Sequence, residues 1–250
     1  ALKGLLDESV GSVVMQSPNF YGNIEDAKAI SEIVHGQPKC LFIASVDPIS
    51  LAILNSPAEY NADIVVGEGQ ALGNSMYMGG PLFGFFATKL EMNRQMPGRI
   101  VGGTLDKVGN RAYALTLQAR EQHIRRSKAT SNICSNQSLC TLAATVYMSL
   151  MGKEGLREVA IQSTQKAHYL ADELAKIPNI KLKYTHTPFF KEFVITVPIK
   201  AKALIEKMLP RGIYAGVEVG EYDLMLAVTE KKTKAAIDEF VCAMKEVCHA

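Results

Sequence analysis

The sequence predicts an α/β fold, with doubly wound layers around a mixed, mostly parallel sheet and a smaller α/β unit at the carboxyl end. Three observations predict it. Val13 to Met15, Cys40 to Val46 and Ala62 to Val66 are short apolar runs separated by helical or turn-rich segments, an alternation that places parallel strands under helices. After Pro178 the pattern changes to short strands interleaved with two helices. Finally, 48% of the 250 residues are hydrophobic and no charge-free run is long enough for a membrane span, so the apolar content predicts a substantial soluble core.

The elements follow in order. Val13 to Met15 reads as a buried strand feeding the loop Gln16-Ser17-Pro18-Asn19. A helix then carries Ala27, Ile30 and Val34 on one stripe. Asn23 is expected to cap it, Glu25 and Asp26 suit its first turn, and Gly36 and Pro38 end it. Cys40 to Val46 is apolar except for Ser45, so both its faces are expected to be covered. A short helix opened by Asp47-Pro48 leads to the strand Ala62 to Val66. In such layered folds ligands sit beyond the carboxyl ends of the strands, where Asp47 and Glu68 fall.

Residues 67–82, GEGQALGNSMYMGGPL, form a glycine-rich loop long enough to suggest a role, and Phe83 to Ala87 reads as a further strand. Neither a dinucleotide fingerprint nor a Walker phosphate loop is present to account for the glycines. A second long loop, 120–136, contains Arg120, His123, Arg125, Arg126 and Lys128. Its cations form either a solvated face or a ligand site. His123 reads as an interface histidine or as an acid-base group. The following helix places Leu139, Leu142, Ala143, Val146, Tyr147 and Leu150 on what is expected to be a core-facing stripe. A helix from about Leu156 to Leu174 bridges to strands near Ile180 to Tyr184, Glu192 to Val197 and Leu224 to Val228. Helices are expected near Lys202 to Leu209 and through Ile237, Phe240, Val241 and Met244.

Charge excludes little and supports no nucleic-acid or membrane surface: 27 basic against 25 acidic residues give +2. Five cysteines without a CxxC pair predict neither a disulfide framework nor a zinc site, and a reducing, cytoplasmic setting is expected. Cys134 and Cys140 lack a neighbouring histidine base in any motif and read as small buried residues. The start, Ala-Leu-Lys-Gly, reads as if cut from something longer.

Several blocks resemble a known family: QSPNFYGNIED at 16–26, VDPISL at 46–51, ADIVVGEGQALG at 62–73, GGPLFGFFATK at 79–89, MPGRIVGGT at 96–104 and LTLQAREQHIRRSKATSNICSNQSL at 115–139. They are similar to the first (alpha) subunit of the P protein of the glycine cleavage system, glycine dehydrogenase (decarboxylating), and cover that chain's second half. The resemblance implies an aminotransferase-like fold, the fold type I of pyridoxal-phosphate-dependent transferases. Residues 1–155 would be the remainder of the large domain, and 156–250 a bridging helix with the small carboxyl-terminal domain.

The resemblance further implies an assembly, a heterotetramer with subunit 2 (beta), that decarboxylates glycine and passes the aminomethyl group to the lipoyl arm of H protein. Pyridoxal phosphate needs a lysine amine, a carboxylate against its pyridinium and donors for its phosphate. In the family's second subunit that lysine follows a histidine at a strand end. Laid on 63–73, the pattern matches Asp63 to its leading aspartate, Gln70 to the histidine and Ala71 to the lysine. No catalytic residue is therefore expected on this chain, and the cofactor is expected on the partner. Asp47 takes the place of the pyridine-binding carboxylate as a vestige. Thr130, Ser131 and Asn132 are expected to reach the partner's cofactor phosphate, with Arg125, Arg126 and Lys128 adding charge. Two rivals stand beside this reading: a self-sufficient pyridoxal-phosphate enzyme using Lys89, and a non-catalytic scaffold.

Overall fold

In the computed structural model, which describes residues 2–76, 78–98, 100–116, 121–129 and 137–249, two four-stranded sheets are joined by one long helix. The first sheet has the order β1 (Ser12–Ser17), β2 (Leu41–Val46), β3 (Ile64–Glu68), β4 (Gly84–Thr88). β1, β2 and β3 run parallel, and β4 returns antiparallel to β3.

Helix α1 (Ala27–His35) crosses between β1 and β2. Its cap is Asp26, whose carboxylate accepts from Ala29 N at 3.0 Å; Asn23, expected in that role, instead bridges to Phe189. The correction is geometric, since the cap side chain must reach the exposed N–H groups of the first turn. Val34 of α1 is fully buried against Phe42, Ala44 and Val46, which alternate along one face of β2. The other face, Leu41, Ile43 and Ser45, is only half-buried, so this strand lacks the complete two-sided cover expected from its run of apolar residues. Tyr60 closes the same cluster, where burial pushes its phenol up to about 12.

The second sheet is antiparallel, in the order β7 (Lys181–Leu182), β8 (Glu192–Thr196), β10 (Asp223–Ala227), β9 (Val217–Gly220). Helices α4 (Ala201–Met208) and α5 (Lys234–His249) pack with it around Phe193, Ile195, Leu204, Met208, Leu224 and Met244, each at most 1% exposed. Burying such a side chain contributes about 1.5–3 kcal/mol relative to exposure, so this cluster is a principal anchor of the carboxyl-terminal half.

Helix α3 (Ser138–Ala175) joins the sheets and breaks at Gly152, where φ is 61° and ψ is −173°. Beyond the break, Ala160, Ser163, Ala167, Leu170 and Leu174 recur every three or four residues and are buried. Before it, the expected core-facing stripe holds only in part: Ala143 and Tyr147 are half-buried, but Leu139 is 78% exposed, Leu142 60%, Val146 50% and Leu150 81%. Beside Tyr147 the helix turns Cys140 and Ala144 inward, toward the loop after β3. Spacing identifies an apolar face but not what covers it.

The edge strand β9 was absent from the sequence-based expectations, and so was a hairpin. β5 (Ile100–Leu105) and β6 (Arg111–Thr116) form a separate two-stranded hairpin with Val101, Leu105 and Tyr113 exposed. The short helix α2 (Gln122–Arg125) follows it.

Candidate active-site region at the strand ends

The segments that follow β1 and β2 meet the start of β8, and the sequence folds there for local reasons. In the loop after β1, Asn19 Oδ1 accepts from Tyr21 N at 2.9 Å and from Asn23 N at 3.1 Å, while its amide donates to Glu25 Oε1 at 2.6 Å. Gly22 then reaches φ 83° with its Cα so close to the second sheet that an added Cβ would lie 1.8 Å from Glu192 O. Ile24 N donates to Pro188 O at 2.8 Å and Phe190 N to Gly22 O at 3.3 Å, which seals the two segments together.

Asp47 follows β2 directly. Its Oδ1 accepts from Ile49 N at 2.8 Å and Ser50 N at 3.1 Å, starting the tight turn Ser50–Ala52. Its Oδ2 pairs with Lys191 Nζ, from the residue before β8 and 144 positions away. Both ends are held back from water: the side chains are 23% exposed for Asp47 and 14% for Lys191. Lys191 also lies 5.6 Å from the centre of the Phe190 ring, and its carbonyl accepts from Val228 N at 3.0 Å. Beside it, burial pushes the Glu192 carboxyl up, the Lys191 charge pulls it down and Asp47 pushes it up again, leaving it above its ordinary value.

Past β3, Glu68 accepts from Gln70 N at 3.0 Å with each carboxylate oxygen, and Gln70 turns its own amide to Asn74 O at 2.5 Å. Ala71 is exposed at the crest of this turn and Leu72 is buried beneath it. Asn74 donates to Cys140 O at 3.2 Å, so α3 holds the loop in place.

Asp47, Gln70 and Ala71 therefore share one edge of the sheet, as the sequence placed them. Thr130, Ser131 and Asn132 lie outside the described residues, as does Cys134. Arg126 and Lys128 are exposed within 122–128, and no group among the described residues has the make-up of a metal site. The long-range partner missing from the sequence reading is Lys191; only its position immediately before a strand could have drawn attention to it.

The opposite edge holds Lys89. Its Nζ donates to Asp63 Oδ1 at 2.6 Å, while Asp63 Oδ2 accepts from Phe42 N at 2.7 Å and meets His35 Nε2 at 3.0 Å. Burial pushes Asp63 up, but the Lys89, Phe42 and His35 contacts outweigh it and hold the carboxyl below its ordinary value. β4 runs antiparallel to β3, so the residue after β4 returns to the amino end of β3. Lys89 is thus at the wrong end of the sheet to serve a cofactor placed by Asp47.

The model of the family described as "Glycine cleavage system P-protein" matches residues 2–244. The chain belongs to the glycine cleavage system P-protein family. A protein described as probable glycine dehydrogenase (decarboxylating) subunit 1 of Chlorobium limicola is 53% identical over 97% of this chain and 55% of its own length. The corresponding protein of Chlorobaculum tepidum is 52% identical over 96% of this chain and 54% of its own. The chain spans about half the length of these curated relatives.

Among solved structures, a glycine decarboxylase (P-protein) of the glycine cleavage system in inhibitor-bound form superposes with a TM-score of 0.91, at 44% identity, over 97% of this chain and 56% of that one. A NifS-like protein from Rickettsia africae superposes at 0.69 with 16% identity, covering 100% of this chain and 65% of that one, and shows the fold alone. The fold is that of the fold type I pyridoxal-phosphate-dependent enzymes, an α/β architecture with a mixed, mostly parallel sheet.

Tested against pyridoxal phosphate, the groups at this P-protein strand end do not fit. The cofactor needs an amine and a free carboxylate, whereas Ala71 offers only a methyl, the Asp47 carboxylate is already paired with an ammonium, and the Gln70 amide is turned to a backbone carbonyl. These groups can hold two segments together and wall a site. They cannot form the covalent link to the cofactor.

Proposed function

We propose that this chain is part of subunit 1 of a glycine-decarboxylating P protein, in which it shapes the active site while subunit 2 holds pyridoxal phosphate. Glycine is the substrate, and the aminomethyl group passes to the lipoyl arm of H protein. The observation that carries the division of roles is the exposed methyl of Ala71 at the same end of the sheet as an Asp47 already neutralised by Lys191. When bound on the partner, the cofactor's ring supplies the sink for the electrons released with carbon dioxide.

In this reading Thr130, Ser131 and Asn132 donate hydrogen bonds to the cofactor phosphate of subunit 2, as hydroxyl and amide groups suited to an anion. The apolar face Leu139, Leu142, Val146 and Leu150 belongs to the assembled heterotetramer, because an exposed apolar stripe of this kind usually marks an interface. The chain divides into units 1–155 and 156–250, a boundary supported by the break at Gly152 and by one buried cluster lying wholly on each side, while a third cluster, Ile49, Leu72, Ala144, Ala160 and Phe190, packs the two units together. The assembly works in the cytoplasm. No helix among the described residues is long and apolar enough to cross a membrane.

Reconstitution tests the proposal. Full-length subunits 1 and 2, purified separately and then mixed with H protein, should release carbon dioxide from glycine only when both are present. Full activity of either subunit alone would overturn it.

A further inference from the structure

Asp47 and Lys191 lie 144 positions apart, yet they share an ion pair shielded on both sides, and each is fixed by further contacts. Asp47 is held by the N–H groups of Ile49 and Ser50, so its carboxylate cannot swing away without losing the turn. Lys191 is held by the Val228 bond to its carbonyl and by the Phe190 ring. A cationic ring nitrogen seeking Asp47 would have to displace an ammonium that is only 14% exposed and is ion-paired with Asp47. Leaving such an ammonium unpaired is costly, because burial disfavours the charged form.

We propose that Lys191 is a resident counter-ion: its ammonium stands against Asp47 where a cofactor's pyridinium would otherwise stand, and so closes this strand end to pyridoxal phosphate. The inference rests on the proposed placing of the cofactor on subunit 2, and it adds a second barrier to the one set by Ala71. Lacking an amine at residue 71 prevents the covalent link. Pairing Asp47 with Lys191 prevents the non-covalent docking that must come first.

The test uses the full-length chain assembled with subunit 2. Ala71→Lys is made alone and together with Lys191→Met, Lys191→Gln or Lys191→Arg, and each assembly is incubated with pyridoxal phosphate. An amine placed at residue 71 condenses with the cofactor aldehyde and releases water. Borohydride then delivers hydride to the C=N bond and leaves a stable secondary amine. Mass spectrometry of the peptide spanning residue 71 measures capture, and the melting temperature of each assembly checks folding.

Capture should be low with Ala71→Lys alone and with the charge-retaining Lys191→Arg. It should rise at least about tenfold with Met or Gln at 191, the lower end of what an opposite charge at contact distance imposes. Adding Asp47→Asn should abolish the gain. Equal capture with and without Lys191, whether high or nil, would overturn the inference. Cofactor retained on the unaltered chain would instead overturn the placing of the cofactor on subunit 2, and the two failures are therefore separable.

Discussion

Lys89 Nζ donates to Asp63 Oδ1 at 2.6 Å, and the antiparallel register that sets Thr88 opposite Ile64 is what brings the two residues together. The pair is structural, and it carries a pH dependence. Asp63 is held below its ordinary value of 3.8, so its contribution to stability is fully present above that value and is lost as pH falls through the lowered folded-state value. Lys89→Met should cost about 1–3 kcal/mol in urea unfolding at neutral pH and move the acid-unfolding midpoint upward, with cofactor retention by the assembled enzyme unchanged. Loss of cofactor without loss of stability would return Lys89 to the active site.

Gly73 sits at φ 83° in the loop after β3, and an added Cβ would lie 2.5 Å from the Cβ of Tyr147. Both the backbone strain and the overlap act against any side chain there. Gly73→Ala should destabilise the chain by about 2 kcal/mol or more, measured by urea unfolding. A change below a few tenths of a kcal/mol would mean that α3 does not clamp this loop.

The exposed stripe on α3 gives a different signature from a core. Leu142→Glu with Leu150→Glu should leave the melting temperature of subunit 1 nearly unchanged and raise the Kd for subunit 2 about tenfold or more, read by titration calorimetry. Unfolding of subunit 1 with unchanged partner affinity would contradict the interface reading.

Thr130→Ala with Asn132→Ala removes two donors proposed to meet the partner's cofactor phosphate. Hydrogen bonds to a charged group contribute about 1.5–3 kcal/mol each, so cofactor should dissociate from the assembly about tenfold faster or more. Unchanged cofactor retention and turnover would remove this loop from the site.

Much of this architecture was legible in the residues. Phe42, Ala44 and Val46 announced a buried strand, and Asp47 and Ala71 were placed at strand ends that the fold does bring to one edge. The Asp47 to Lys191 pair was not legible, because periodicity reports local faces and says nothing about partners 144 positions apart. The α3 stripe was misread for a related reason: Leu142 and Leu150 have the spacing of buried residues, but the covering surface is not among the described residues. The β5 and β6 hairpin was missed although Asp106 to Asn110 closes it; Asn110 N donates to Asp106 Oδ1 at 2.8 Å, a turn signal between two strand-forming runs.

The central claim is that this strand end carries no cofactor and that the partner does. Borohydride reduction of the unaltered assembly of full-length subunits, followed by peptide mapping, measures it directly. All trapped pyridoxal phosphate should map to a lysine of subunit 2, with none on Lys89, Lys191 or any other amine of this chain. Trapped cofactor on this chain at an amount comparable to subunit 2 would contradict the account.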